Sequence, residues 1–327
     1  MTKSVTYISI GDFIDLFYKI KEKGLYKLLS KFSLSKQART VSKWNNSTES
    51  SDFWIIPQIR NRWNEKCTGD PNLQYEDYFV KNYLAHSKGL RMLSIGCGTG
   101  SREIKFAKYP IFDKIEGVDI APKLIDEARY NASILNFKNI DYIFADFETY
   151  SFDFNSYDII LFHSSLHHFN NIQNLLEFKV LPLLKENGYL VIHEYVGPKR
   201  LQWTKLQLDF SNKLLKSLPL KFRRRFKPNS IKTKIYRPGL FRMLAIDPSE
   251  AVDSESIIPS IHKLFKTIEE KKIGWNITHL LFKDIAHNFL NKDKETQQLL
   301  SQIFDQEDKF LEITNSSDAI FGIYRKS

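Results

Sequence analysis

Residues 94–100 read Ser-Ile-Gly-Cys-Gly-Thr-Gly, directly after the short apolar run RMLSIG and directly before a helix-forming stretch. Glycines at 96, 98 and 100 permit a tight turn and let the backbone approach a ligand closely. A dinucleotide-binding loop has G-x-G-x-x-G spacing, with its last glycine at a position held here by Ser101. Asp119 ends the next apolar run and Asp146 the one after it. A carboxylate at 119 can accept hydrogen bonds from both hydroxyls of a ribose. One at 146, with a neighbouring backbone N–H, can read an adenine edge. The three features place a single adenosine across the carboxyl ends of three strands. A glycine turn made only for strand-to-helix packing is the competing reading, and the two matched acids weigh against it.

A second group of residues could move a proton. His163, His167 and His168 fall within six residues of a chain that has 8 histidines, and His193, Glu194 and Tyr195 end another apolar run. Histidine titrates near neutral pH and suits a general base. A hydroxyl that is to act as a nucleophile needs such a base. His167, His168, Glu194 and Tyr195 are therefore the candidate catalytic residues, with His167 foremost. Local roles compete with this, His163 packing beside the ligand and His168 capping the following helix. Side chains of adjacent residues diverge on regular structure and no second His/Asp cluster has ligand spacing, so no metal site is expected. Cys97 fits as a small residue of the glycine loop, and Cys67 as a structural one.

These residues need a scaffold of alternating strands and helices. Runs at 91–96, 114–120, 140–146, 157–163 and 189–195 read as strands, rich in Val, Ile and Leu as burial on both faces requires. Helical patterns lie between them, including 122–137 with Pro122 in its first turn and 172–185 closed by Asn187-Gly188. Such alternation implies βαβ units and a parallel sheet. After a basic, proline-interrupted segment, 265–274 is expected as a sixth strand, 278–290 and 295–314 as helices, and 319–325 as a C-terminal strand. Ahead of the sheet, 11–32 reads as an amphipathic helix with lysines on its outer face, and 55–66 and 75–86 as further helices. The expected organisation is a helical N-terminal extension and cap over 1–74 and an α/β domain over 75–327, with a basic helical insertion at about 196–262.

Composition sets the outer bounds. The 327 residues are 42% hydrophobic and 26% charged, which excludes a disordered or collagen-like chain. Two cysteines exclude a disulfide scaffold and fit a reducing, cytoplasmic setting. No run of about 18 apolar residues is present, so no membrane-spanning helix is expected, and Asp12 and Asp15 interrupt any secretory signal. The net charge of +10 is uneven. Residues 1–45 hold nine Lys/Arg against three acids, and 197–245 hold fourteen against Asp209 alone, leaving the remainder at −9. Arg223-Arg224-Arg225 suits a solvated face, an anionic membrane or a phosphate-bearing acceptor better than nucleic acid, since no RNA-binding module accompanies it.

Residues 91–195 resemble class I S-adenosylmethionine-dependent methyltransferases. The resemblance rests on LSIGCGTG, EGVDI, FADFE, YDIILFHSSLHHF and LLKENGYLVIHEYVG. HEYVGPKRLQW and DPSEAV are similar to a bacterial subgroup met among polysaccharide- and natural-product-modifying methyltransferases. The family implies a Rossmann-like, mostly parallel sheet with an antiparallel C-terminal strand, and S-adenosylmethionine as cofactor. It implies cofactor contacts at Gly96, Cys97, Gly98, Gly100, Glu103, Asp119, Ile120, Asp146, Phe147 and His163. Members usually carry an acid two residues before the first glycine, holding the amino end of the methionine part. Here that residue is Ser94, and Glu103 in the next turn is the candidate replacement. The function implied is methyl transfer, in line, to a hydroxyl of a small molecule or glycan, phosphate-bearing or lipid-linked among the options. C- or N-methylation, or a regulatory protein that only binds the cofactor, are the alternatives. Peripheral contact with an anionic membrane through 197–245 is an expectation of charge alone, and the sequence leaves the oligomeric state open.

Overall fold

The structure is a computed structural model that describes residues 5–14, 17, 51–226 and 230–326. Most of the amphipathic helix expected over 11–32 lies outside the described residues. The chain divides into two compact units. One comprises Met1–Trp63, Gly197–Glu250 and Ile273–Ala319, and the other Asn64–Val196, Ala251–Lys272 and Ile320–Ser327.

The second unit carries the body of a seven-stranded sheet. Its strands are β1 (Leu90–Ile95), β2 (Phe112–Asp119), β3 (Ile140–Phe144), β4 (Tyr157–His163), β5 (Leu184–Tyr195), β6 (Lys266–Gly274) and β7 (Ala319–Arg325). Their order is β3-β2-β1-β4-β5-β7-β6, mostly parallel with an antiparallel C-terminal strand. The chain starts in the middle with β1, winds out to β3, then returns to β4 on the other side. The strand order therefore reverses beside β1, where ligands of open α/β sheets bind. Register fixes which residues meet at that edge: Ile95 pairs with Val118 and Phe162, Asp119 with Phe144, and His163 with His193. Leu93, Ile95, Ile160, Phe162, Leu190 and Ile192 join the main core cluster and are at most 1% exposed. The central strands are thus covered on both faces, as their near-continuous hydrophobicity requires.

Two expectations are corrected here. The helix expected over 172–185 is a short α-helix, Ile172–Leu175, then a π-helical turn, Leu176–Val180, and a 3₁₀ turn, Leu181–Leu183. Pro182 lacks an N–H and its ring crowds the preceding turn, so the regular ladder cannot continue through it. β5 therefore begins at Leu184. Asn187-Gly188 does not cap a helix but sits within the strand, where Asn187 has φ 61° and the pairing with β4 slips between Leu184 and Tyr189.

The first unit is helical around loops, with Lys205–Ser217 (N-capped by Thr204, which accepts from Gln207) and the long helix Lys294–Thr314. The helix expected over 278–290 is broken into Thr278–Phe282 and Ala286–Phe289. Asp284 adopts φ 69°, donates its N–H to Ser51 O at 2.8 Å and accepts from Phe226 N at 2.8 Å. Lys232, 4% exposed, gives its ammonium to the carbonyls of Leu280, Leu281 and Lys283. These non-local bonds satisfy the carbonyls that a longer helix would have used. No helix among the described residues is long and apolar enough to cross a membrane.

Candidate functional site

The carboxyl ends of β1 to β5 gather the residues singled out in the sequence. The turn after β1 is held by Gly96 and Cys97 donating to Val118 O, at 2.8 and 3.1 Å. All three loop glycines have positive φ, 73°, 55° and 77° at Gly96, Gly98 and Gly100. Two of them are needed for packing: a Cβ on Gly96 would lie 2.5 Å from Ser165 Cβ, and one on Gly100 2.3 Å from the Tyr142 hydroxyl. Gly98 differs, because a Cβ there would meet nothing within 4 Å. Its positive φ leaves open space on the side where a Cβ would stand.

Asp119 binds this loop to β2. Its Oδ2 accepts Gly98 N at 2.9 Å and its Oδ1 accepts Ala121 N at 2.8 Å. Each oxygen retains a second lone pair, and the residue is only partly buried. Burial raises its pKa, opposed by those backbone donors. Asp146, two residues past β3, accepts Glu148 N at 3.0 Å and is partly exposed. Ile120 is half-buried, whereas the Phe147 ring is 4% exposed and packs on Phe152 and Phe169 in the core. The Phe147 side chain is thus a core element, and its backbone is what lies at the edge. Cys97 is 9% exposed, and burial pushes its thiol well above the ordinary range.

Glu103 opens the helix Glu103–Ala107 and is 0% exposed, with neither carboxyl oxygen bonded among the described residues. Burial lifts it to about 7, against the pull of the Ser94 hydroxyl and of Arg102. The position expected of an acid, Ser94, is itself 2% exposed. A serine there and a glutamate nine residues later converge on one buried point.

His167 and Glu194 form a second centre. Glu194 is 0% exposed and fully engaged. Oε2 accepts Ser165 N at 2.8 Å and Leu166 N at 2.7 Å, and Oε1 accepts Tyr195 N at 2.8 Å and contacts His167 Nδ1. Burial would raise this acid, but His167 and the two loop N–H groups bring it below the usual carboxylate range. The short loop after β4 makes this possible, with Ser164 at φ 52° and Ser165 Oγ donating to Ile95 O at 2.6 Å. Tyr195 is 3% exposed, its ring 6.0 Å from that of His167. His168 lies 4.1 Å from His167 centroid to centroid, and its N–H closes the turn on Ser165 O.

His163 is not part of that centre. It stacks on His193 at 4.7 Å and accepts or donates to the Tyr75 hydroxyl at 3.0 Å. Burial and then Arg102 depress both histidines, His193 to about 4, so both are neutral at working pH. Tyr75, Glu76 and Arg102 are residues that sequence reasoning missed. Arg102 and Lys105 pair with the buried Glu76 at 2.8 and 3.3 Å, and the Arg102 guanidinium lies 5.9 Å from the Tyr75 ring. The signal was Glu76 itself: an acid on the buried face of Tyr75–Tyr83, beside Tyr75, Phe79 and Val80, demands a cation.

Arg62 and Trp63, on the helix Pro57–Thr68, are engaged within the first unit. Arg62 bonds Asp308 at 2.6 Å and lies over the Phe304 ring, and Trp63 packs at 5.2 Å against both Phe53 and Trp275.

Residues 86–239 match a family described as a methyltransferase domain. Aklanonic acid methyltransferase DauC from Streptomyces sp. (strain C5) is 35% identical over 79 residues, 22% of this chain and 34% of that protein. Tenellin synthetase from Beauveria bassiana is 31% identical over 159 residues, 46% of this chain and 4% of that protein. The chain thus spans about a third or less of the length of these relatives. Among solved structures, geranyl diphosphate C-methyltransferase from Streptomyces coelicolor A3(2) is similar, with a TM-score of 0.49 at 13% identity over 90% of this chain and 99% of the other.

Proposed function

We propose that this chain, whose residues 86–239 carry a methyltransferase domain, transfers a methyl group from S-adenosylmethionine to a hydroxyl of a small molecule or glycan. The observation that carries the reading is the buried His167–Glu194 pair, set at the same strand edge as the glycine loop and Asp119. The residues fit the cofactor: open space over Gly98, and spare lone pairs on a half-buried Asp119. When bound, S-adenosylmethionine supplies a methyl on a sulfonium, already activated for in-line displacement. Gly96, Cys97, Gly98 and Gly100 supply backbone to lie against it, Asp119 and Ile120 take the ribose, and Asp146 with the backbone at Phe147 takes the adenine. Glu103 takes the amino end in place of an acid at 94. His163, neutral and stacked on His193, forms an uncharged wall that does not repel a cationic ligand.

His167 is the general base. Glu194 holds Nδ1 as the protonated nitrogen, which leaves Nε2 as the basic one, and stabilises the imidazolium once the acceptor's proton arrives. Glu194 is thus a positioning residue, with Tyr195 and His168 as the walls around the imidazole. An amine already present as its free base attacks without a general base and a cofactor-binding regulator needs none, so the pair supports the hydroxyl; a carbon acceptor also releases a proton and is told apart by its product. The relative DauC is named for a small-molecule acceptor, aklanonic acid, which is the size class proposed. A cytoplasmic setting is supported by the free cysteines Cys67 and Cys97, which persist as thiols under reducing conditions.

Calorimetry with S-adenosylmethionine and S-adenosylhomocysteine tests the cofactor. Both should bind, and Asp119→Ala should weaken them about 100-fold through lost ribose hydrogen bonds. An absence of binding sinks the reading. His167→Ala should keep cofactor affinity while lowering release of S-adenosylhomocysteine, in the presence of hydroxyl-bearing acceptors, by about 100-fold or more. Undiminished turnover would move the function to a carbon or nitrogen acceptor.

A further inference from the structure

Both carboxyl oxygens of Glu103 and Oε2 of Glu76 lack a hydrogen-bond partner among the described residues, and both side chains are 0% exposed. Buried carboxyl oxygens cost free energy until a donor meets them. Glu76 uses only its Oε1, which accepts from Arg102 Nη1 at 2.8 Å and Lys105 Nζ at 3.3 Å. It belongs to the helix Tyr75–Tyr83, ahead of β1, whereas both cations follow the glycine loop. The contact ties that helix to the turn proposed to hold the cofactor. A guanidinium carries five N–H donors, and the bond to Glu76 engages Nη1, leaving those of Nε and Nη2 for a ligand. The Arg102 side chain is 31% exposed, so a ligand can reach it. Its guanidinium lies 5.9 Å from the Tyr75 ring, which stacks on His163 and His193 at the carboxyl ends of β4 and β5. After burial, the charge of Arg102 is what most depresses both histidines, whereas Lys105 acts on His163 alone and less. Arg102 is thus the cation nearer the strand edge.

We propose that Arg102, held in place by Glu76, receives the carboxylate of the cofactor's amino-acid end and makes the site selective for adenosyl ligands that carry it. The inference rests on the S-adenosylmethionine reading and deepens it. The amino-acid end of that cofactor is a zwitterion, with an ammonium and a carboxylate on one carbon. Glu103 and Arg102 are consecutive residues of opposite charge, as the two ends of a zwitterion require. The charges balance as well. With Glu103 ionised, Glu76 and Glu103 stand against Arg102 and Lys105, and a zwitterion leaves that sum at zero. A ligand with the ammonium alone adds an uncompensated positive charge. A planar guanidinium meets a carboxylate through two parallel bonds, which the point charge of an ammonium cannot do, and this favours Arg102 over Lys105. Glu76 is a positioning residue. It fixes a long side chain before the ligand arrives, so less freedom is lost on binding.

Calorimetry of the full chain with three ligands tests it: S-adenosylmethionine, its decarboxylated form, and 5′-methylthioadenosine, which lacks the whole amino-acid end. The native chain should bind S-adenosylmethionine at least about tenfold more tightly than the decarboxylated form. Arg102→Met should remove that preference and leave the affinity for methylthioadenosine unchanged. Because it strands the buried Glu76, a second variant, Arg102→Met with Glu76→Gln, removes both charges together and keeps the measurement open if the first does not fold. Glu76→Gln alone should narrow the preference, whereas a merely structural role would weaken all three ligands alike. Lys105→Met should keep the preference. Three results overturn the proposal: equal binding of the two forms by the native chain, full preference in the double variant, or a preference lost in Lys105→Met and kept in Arg102→Met. Methylthioadenosine binding without a carboxylate preference overturns this inference alone. If neither S-adenosylmethionine nor methylthioadenosine binds, the methyl-transfer reading falls and takes this inference with it.

Discussion

Glu103 is the buried acid proposed to take the amino end of the cofactor. Its carboxyl is closed off from solvent and lifted by burial to about 7 from an ordinary 4.5. For an acid raised in this way, the folded chain holds a proton between those two values that the unfolded chain has lost. Stability therefore falls as pH rises through that window and levels off above about 7. The difference is on the order of 3 kcal/mol. Thermal melts at pH 6 and pH 8 should differ for the native chain, and Glu103→Gln should shrink that difference and raise the melting temperature at pH 8. Because an ammonium favours the charged carboxyl, cofactor affinity should also rise with pH up to about 7. The glutamine variant should bind more weakly and lose that dependence, and a dependence that survives would remove Glu103 from the cofactor site. Glu194 is the contrasting acid, equally buried but held down by His167 and backbone donors, so it stays charged and orients the imidazole at any working pH.

The elements decide which glycine does what. GCGTG was legible as a tight turn from its place between a strand and a helix, but the pattern treats its glycines alike. The packing separates them. Gly100 is fixed by Tyr142, whose hydroxyl also donates to the Gly100 carbonyl at 3.0 Å, while Gly98 stands over open space. Gly100→Ala should destabilise the fold by about 2–3 kcal/mol through the clash. Gly98→Ala should cost only about 1 kcal/mol of backbone strain and yet weaken cofactor binding at least tenfold. Thermal unfolding read beside calorimetry distinguishes the two. The same dependence on neighbours explains the misread helices at 172–185 and 278–290. Their hydrophobic spacing is helical, but Pro182 interrupts one, and Lys232, Ser51 and Phe226 capture the backbone of the other.

At the scale of the molecule, charge and position part company. The +10 resides in two segments, and the arginine run at its centre does not act as one patch. Arg224 is exposed, whereas Arg225 is 12% exposed in its pair with Asp284, beside Asn288 bonds to the carbonyls of Phe222 and Arg224. Arg225→Ala should lower stability by about 2 kcal/mol, a shift of several degrees in thermal unfolding, and Arg224→Ala by less than about 0.5 kcal/mol. Reversing all three arginines together would thus report folding as well as surface charge. The sequence by itself determined the alternating sheet, the edge on which its loops converge, the placing of Asp119 and Asp146 at strand ends, and the closeness of His167 to strand five. Periodicity, glycines and strand-end acids are local signals, and each is carried by a few consecutive residues. Only the tertiary structure decided that Glu194 grips His167, that Glu103 and Ser94 share one buried point, and that Glu76 answers Arg102. Those pairings join residues far apart in the chain, and whether a carboxylate is solvated, paired or enclosed depends on neighbours that no local pattern names.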